Sequence, residues 1–143
     1  MTTVVFLAHV FMPTTQDLLP ELKAACDDLL WRSETDSPFE VAVLPSEQPL
    51  ASIDQLLSRY PDNTPVDIVS LDDFFGQSTV ERAWFDSREL ALVERYRNLR
   101  DLLETTLENL QVYRIGTVEI DVYLLGKTED DQIIGVKTKV VET

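Results

Sequence analysis

Residues that could carry out catalysis are few in this chain, and they do not form a known constellation. The one histidine, His9, lies in an apolar stretch, and the one cysteine, Cys26, falls among the apolar positions of a helical pattern. A Ser-His-Asp set or a zinc site would need partners at defined spacings. The four glycines are scattered, so no glycine-rich loop can cradle a phosphate. The sequence therefore predicts no catalytic site, no cofactor, no metal of its own and an inert, packed thiol.

Carboxylates are abundant, and several are close together in sequence. The pairs that could serve acid–base chemistry are Asp27 with Asp28, Asp72 with Asp73, and Glu119 with Asp121. Among 26 acidic residues such pairs arise by chance, so helix capping or solvation is the favoured interpretation. The run 129–131 lacks the spacing of a calcium-binding loop.

The balance of charge favours a protein partner. The chain has 143 residues, 12 basic and 26 acidic, for a net charge of −14. Such a surface repels nucleic acid and anionic membranes, and attracts a basic protein at a rate that falls with salt. Acidity for solubility alone is an equally good interpretation of composition. We predict no direct binding to nucleic acid or membrane and a monomer when free.

The length and the 44% hydrophobic content fit one globular domain. Residues 1–12 are apolar, but they lack the positive charge of a signal peptide and are too short to span a membrane. We interpret them as an N-terminal extension, with a misassigned start as one explanation, and residues 13–143 as a single domain. One cysteine suits a reducing compartment, which predicts a cytoplasmic protein.

Two patterns near the C-terminus predict strands. Apolar residues alternate with polar ones in the first, at Val118, Ile120, Val122 and Leu124. A hairpin connection leads to the second strand, 135–143. The chain would then end within a strand, with the carboxylate of Thr143 on a rigid element.

The other elements are predicted from periodicity and from turn residues. Helices are expected over 17–31, with Trp31 in the core, over 49–60, and from Ser87 to about Asn109, with Leu110 on its buried face. Short strands are expected over 39–44 and 65–69, a helical turn over 70–76, and loops over 32–38 and 77–87. The polar face of the long helix is interpreted as solvated: Glu94, Arg95, Arg97, Arg100, Asp101 and Glu104. Together these predict an α+β fold with a predominantly antiparallel sheet.

Longer motifs resemble the nuclease A inhibitor family. They are QVYRIG at 111–116, the VE and DVY that follow, and the ending TKVVET. The resemblance continues back through 29–39, the FF of 73–76 and Trp84, so it covers nearly all of the chain from about Gln16. It implies a three-layer α-β-α sandwich and an inhibitor of a metal-dependent, sugar-non-specific DNA/RNA nuclease.

The resemblance also assigns roles to loop residues that their own context leaves open. Trp84 and Phe85 lie in an irregular polar loop, where packing onto the core is the favoured interpretation without the resemblance. Glu34 is, by itself, one solvated carboxylate. The family pattern implies that Trp84 is an aromatic contact, and that Glu34 and Thr143 approach the metal of the nuclease in place of substrate oxygens. Ala83 departs from the pattern, which has an acidic residue before the tryptophan.

Three functions are therefore open. The first is an inhibitor that occludes the nuclease active site by 1:1 binding. The second is an acidic adaptor, or a nucleic-acid mimic, that binds another basic protein. The third is an enzyme of unrecognised type. A metal-directed inhibitor should depend on the C-terminal residues 141–143 far more than on helix acids, whereas a general charge mimic should not.

Overall fold

The computed structural model describes residues 13–44 and 49–143 of the chain. The apolar segment 1–12, and His9 with it, lies outside these residues. None of the helices within the two described ranges is long and apolar enough to cross a membrane.

Helices and strands both contribute to the fold, as predicted. The helices are α1 (Thr15–Cys26), α2 (Pro49–Leu57), α3 (Leu71–Phe75), a following 3-10 turn (Gly76–Thr79), and α4 (Ser87–Thr106). The strands are β1 (Leu30–Arg32), β2 (Asp36–Pro38), β3 (Glu40–Leu44), β4 (Val66–Val69), β5 (Glu108–Ile115), β6 (Glu119–Lys127) and β7 (Ile133–Val141).

The main sheet has five strands in the order β3-β7-β6-β5-β4, and each neighbouring pair is antiparallel. This confirms the predicted antiparallel sheet. β1 and β2 form a separate two-stranded hairpin, where the sequence predicts the end of a helix followed by a loop. Between β6 and β7 the backbones approach closely, and a Cβ at Gly135 would lie 1.8 Å from the Leu124 carbonyl oxygen. Glycine is therefore required there, on the strand that leads to the C-terminus.

Helix α1 is shorter than its apolar pattern predicts. It begins after Thr14, whose hydroxyl accepts a hydrogen bond from the Asp17 amide at 3.3 Å, and it ends at Cys26. Asp28 has a φ of +54°, a left-handed conformation that stops the helix. The prediction of helix through Trp31 is wrong, since Trp31 lies in β1. The predicted burial of Trp31 is confirmed, because its side chain points from β1 into the core.

Helix α4 begins with a capping box formed by Asp86 and Glu89, and ends at Thr106. Leu110 is therefore in β5 and not on the helix. The polar face of α4 is not simply solvated. Arg95 donates to the carbonyls of Ala25 and Asp27, at 3.0 and 2.7 Å, and so holds the end of α1 just before β1.

Two further arginines of α4 hold the segment that leads to the Trp84 loop. Arg97 donates from Nε to the carbonyl of Thr79 at 2.8 Å, and Arg100 donates to the Thr79 hydroxyl at 3.3 Å. The interpretation of the polar face as solvated is wrong for these arginines, which are half-buried and hydrogen-bonded to other elements. It is confirmed for its acidic residues, Glu94, Asp101 and Glu104, which are exposed.

Two predicted strand ends also differ. Val118, expected on the buried face, precedes β6 and is 48% exposed. The last strand ends at Val141, so the chain does not finish within a strand. Thr143 is nevertheless held, by contacts described below.

The core consists of two clusters of buried side chains. The larger unites α1, α3 and α4 with the sheet, and includes an aromatic group in which Trp31 stacks on Phe74 with ring centroids 4.4 Å apart. The smaller contains Leu56 and Tyr113, with Tyr60 packed against it. Tyr113 and Val112 are adjacent on β5 and belong to different clusters, as alternation along a strand requires.

Candidate functional site

The turn between β1 and β2 is tied to the end of β7. Ser33 closes the turn by donating from its hydroxyl to the Thr35 carbonyl at 2.9 Å. The same hydroxyl accepts a hydrogen bond from the Val141 amide at 3.0 Å, and the Glu34 amide donates to the Val141 carbonyl at 3.3 Å. These contacts carry Glu34 to the C-terminus, from which it is distant in sequence.

Glu34 and Thr143 bind each other directly. The Thr143 hydroxyl donates to one carboxylate oxygen of Glu34 at 2.6 Å, and the Thr143 amide donates to the other. Both side chains are exposed. Within residues 13–44 and 49–143, no lysine or arginine forms an ion pair with the terminal carboxylate. The structure therefore brings these two predicted site residues together.

The preceding residue is held as well. Glu142 pairs with Arg114 at 3.0 Å, and its amide donates to the Val118 carbonyl at 2.9 Å. Because Glu142 and Thr143 are both attached to neighbouring elements, the C-terminus has a defined position beyond the last strand.

The Glu34 carboxyl should report this attachment as a function of pH. Hydrogen bonds from the Thr143 side chain and backbone hold its pKa below the usual 4.5. A lowered pKa means that the ionised form is favoured by the contact, so the contact is complete above pH 4.5 and weakens as the pH falls below it. We expect the NMR shift of the Thr143 amide to follow that titration.

The control is Glu34→Gln, which removes the ionisable side chain and leaves the carboxyl group of Thr143 unchanged. Subtracting the curve of this variant leaves the Glu34 contribution. A Thr143 amide that titrates identically in both proteins would contradict the contact.

Trp84 and Phe85 lie in the loop before α4. Trp84 is 76% exposed, whereas Phe85 is half-buried, and their rings meet edge to face with centroids 6.2 Å apart. The favoured interpretation from the residues alone, that Trp84 packs onto the core, is wrong. The next acidic residue after Ala83 is Asp86, whose carboxylate accepts from the Glu89 amide at 2.8 Å and caps α4.

Arg32, which no sequence pattern singles out, lines a cavity beside one member of each predicted pair, Glu34 and Phe85. A groove of about 380 Å³ is lined by Arg32, Glu34 and Val141. A smaller pocket of about 150 Å³ is lined by Arg32 and Phe85. The sequence predicts a loop at Arg32 and therefore gives no direction for its side chain. That direction is defined only by the pairing of β1 with β2.

The remaining candidates have structural explanations. Glu119 and Asp121 pair with Lys139, at 3.4 and 4.0 Å, and Asp121 also accepts from the Tyr60 hydroxyl at 2.6 Å. Cys26 is buried, which confirms the predicted packing of its thiol. Burial raises the pKa of that thiol to about 11, which disfavours the thiolate form.

In the described parts of the chain, no three His, Cys, Asp or Glu side chains are grouped so that they could hold a metal ion. The run 129–131 has a structural role, because Asp130 accepts from the Thr15 amide at 2.9 Å and from the Thr128 hydroxyl at 2.7 Å.

Comparison with known proteins gives one result that covers most of the chain. A family model described as nuclease A inhibitor-like protein matches residues 16–143, which include the whole of the described sheet and the site above. A search of curated proteins found no match.

Proposed function

Because the chain belongs to the nuclease A inhibitor-like family, an inhibitor family, we propose that it inhibits a metal-dependent, sugar-non-specific DNA/RNA endonuclease by occluding the active site in a 1:1 complex. Family membership supports a nuclease as the partner. The metal dependence, the lack of sugar specificity, the binding mode and the stoichiometry are the further parts of the proposal. In this view the protein acts by binding and is not itself an enzyme.

The observation that carries the proposed mode is the contact between Glu34 and Thr143. It fixes the position of the terminal carboxylate while leaving that group without a basic partner in the described residues. A hard divalent ion that normally contacts phosphate oxygens also accepts carboxylate oxygens. The terminal carboxylate would take the place of substrate oxygens at or near the metal. Glu34, whose two oxygens are engaged by Thr143, would act mainly by positioning it.

Trp84 supplies the apolar part of the proposed contact, with Phe85 beside it. An exposed tryptophan removes a large apolar area from water when a partner covers it, and tryptophan is enriched among the residues that dominate interfaces. The net charge of −14 would add long-range attraction to a basic nuclease and accelerate association at low salt.

Several related parts of the proposal concern the protein as a whole. The two core clusters support a three-layer arrangement, with helices on both faces of the sheet. Residues 13–143 would form one domain, and 1–12 an extension. We propose a monomer in the cytoplasm that protects the producing cell from a toxic nuclease before export.

An acidic adaptor, or nucleic-acid mimic, is the second candidate, and the net charge favours it. Its affinity would come from summed charge, so it would fall steeply with salt and would not depend on one oriented carboxylate.

The proposal is tested by titrating the protein into a magnesium-dependent, sugar-non-specific endonuclease of the family's target class while DNA cleavage is measured. We expect activity to be lost at a 1:1 ratio both at about 0.1 M salt, where the Debye length is about 10 Å, and at about 0.5 M salt, where it is less than half of that. Inhibition only at low salt would favour the adaptor. Undiminished cleavage at excess protein would contradict inhibition of this nuclease class.

A further inference from the structure

Arg32 is an exposed cation at the junction of the proposed contact surface. It is the last residue of β1, and it lines both the groove beside Glu34 and the pocket beside Phe85. Asp36 is its cross-strand neighbour. Even so, no ion pair within 4.0 Å joins Arg32 to any side chain in the two described ranges. Its charge therefore has no fixed partner there.

The pocket that Arg32 and Phe85 line is part polar and part apolar. Phe85 and Leu92 form an apolar wall, and Gln77, Ser78 and Glu89 contribute polar groups. One carboxylate oxygen of Glu89 is already engaged, since it accepts a hydrogen bond from the Asp86 amide at 3.1 Å. An acidic side chain with a short apolar stem would contact Arg32 and the apolar wall together.

We propose that Arg32 binds an acidic side chain of the nuclease and is a specificity-determining residue of the inhibitor; this inference rests on the proposed function. A guanidinium can hold a carboxylate through two parallel hydrogen bonds. The apolar wall would exclude water from the pair, which strengthens the attraction. Nucleases that hold a divalent ion do so with carboxylates, so acidic groups are expected around the surface that the inhibitor covers.

Charge reversal separates this local contact from the overall field. Arg32→Glu and Arg59→Glu change the net charge equally, but Arg59 lies beyond α2, among residues that pack on the smaller core cluster. Arg59→Glu makes the inhibitor more acidic, and it should inhibit as well as the unmodified protein or slightly better, because a basic partner is attracted more strongly. Arg32→Glu should instead raise the inhibition constant by about 30-fold or more, since it places two carboxylates together.

The experiment measures inhibition constants and dissociation rates of the full chain and its variants against the magnesium-dependent endonuclease. Arg32→Gln, which removes charge but keeps a polar side chain, should lose about 10-fold, and Arg32→Lys less, because lysine keeps the charge without the bidentate geometry. The losses should appear mainly in faster dissociation and persist at high salt. Thermal unfolding of each variant identifies any loss of folding, and Arg32→Gln provides the measurement if Arg32→Glu unfolds.

The outcomes separate this inference from the function on which it rests. If the unmodified protein inhibits and Arg32→Glu equals Arg59→Glu, the Arg32 contact is overturned and the inhibitor function stands. The contact is also overturned if both variants raise the inhibition constant by the same factor. Failure of the unmodified protein to inhibit overturns the function and this inference together.

Discussion

Deletion of Thr143 will raise the inhibition constant for the nuclease by about 1000-fold, the largest effect expected of any single-residue change at the site. The deletion does not alter the formal charge, because the terminal carboxylate moves to Glu142. What changes is its position, by about 3.4 Å along the chain, and its attachment to Glu34. A misplaced oxygen anion cannot reach the metal in the geometry that the intact terminus provides.

The size of that effect is judged against a variant that removes charge without touching the C-terminus. Glu94 and Glu104 are exposed on α4, and neither forms an ion pair within the described residues. The double variant Glu94→Gln/Glu104→Gln removes two negative charges and should weaken inhibition by less than about 5-fold, mostly by slowing association. If it weakens inhibition as much as deletion of Thr143, the protein acts as a charge mimic and the metal-directed mode is wrong.

Thr143→Val refines the same result. This variant keeps the terminal carboxylate in place and loses only the hydroxyl that donates to Glu34. We expect an intermediate loss of about 10-fold, typical of one hydrogen bond to a charged group. None of these changes should lower thermal stability, because the residues are exposed and lie outside both core clusters.

The sheet was the most predictable part of the fold because its sequence signal is local. Apolar and polar side chains alternate over residues 120–124, which predicts a strand with one face in the core. The structure has β6 at these residues. The helix limits were less predictable. Leu29 and Trp31 continue the apolar pattern of α1, yet they lie past the left-handed Asp28 and enter the core from another direction. Periodicity records that a residue is buried, and it does not record which element buries it.

The site was predictable only through the resemblance, for a physical reason. Glu34 and Thr143 are 109 residues apart, and nothing in either local sequence indicates that one binds the other. Their contact depends on the β1–β2 register and on the position of Val141, which are properties of the assembled sheet. The arginines of α4 are a similar case, since Arg95 looks like an ordinary surface residue until its carbonyl partners are known.

Substitution of Trp84 by alanine will weaken inhibition by about 100-fold while leaving the protein as stable as before. Trp84 is 76% exposed and belongs to neither core cluster, so its truncation should change the free energy of unfolding by less than about 0.5 kcal/mol. In the complex, the same side chain would be covered by the nuclease, and its loss would remove a large buried apolar area.

The second tryptophan provides the matched control. Trp31 is 8% exposed and packs against Phe39, Phe74, Phe75 and Tyr96. Trp31→Ala should therefore cost about 3–5 kcal/mol of stability, measured by chemical unfolding. The same change at two tryptophans would thus affect binding at one position and folding at the other.

Salt distinguishes the Trp84 contribution from the electrostatic one. Apolar burial is not screened, so the ratio of inhibition constants between Trp84→Ala and the unmodified protein should be the same at 0.1 and about 0.5 M salt, even as both constants rise. A ratio that collapses toward one at high salt would mean that the loop contributes through its charges. If Trp84→Ala and the unmodified protein have equal inhibition constants at each salt concentration, the exposed ring lies outside the interface, and the C-terminal carboxylate and its neighbours account for binding.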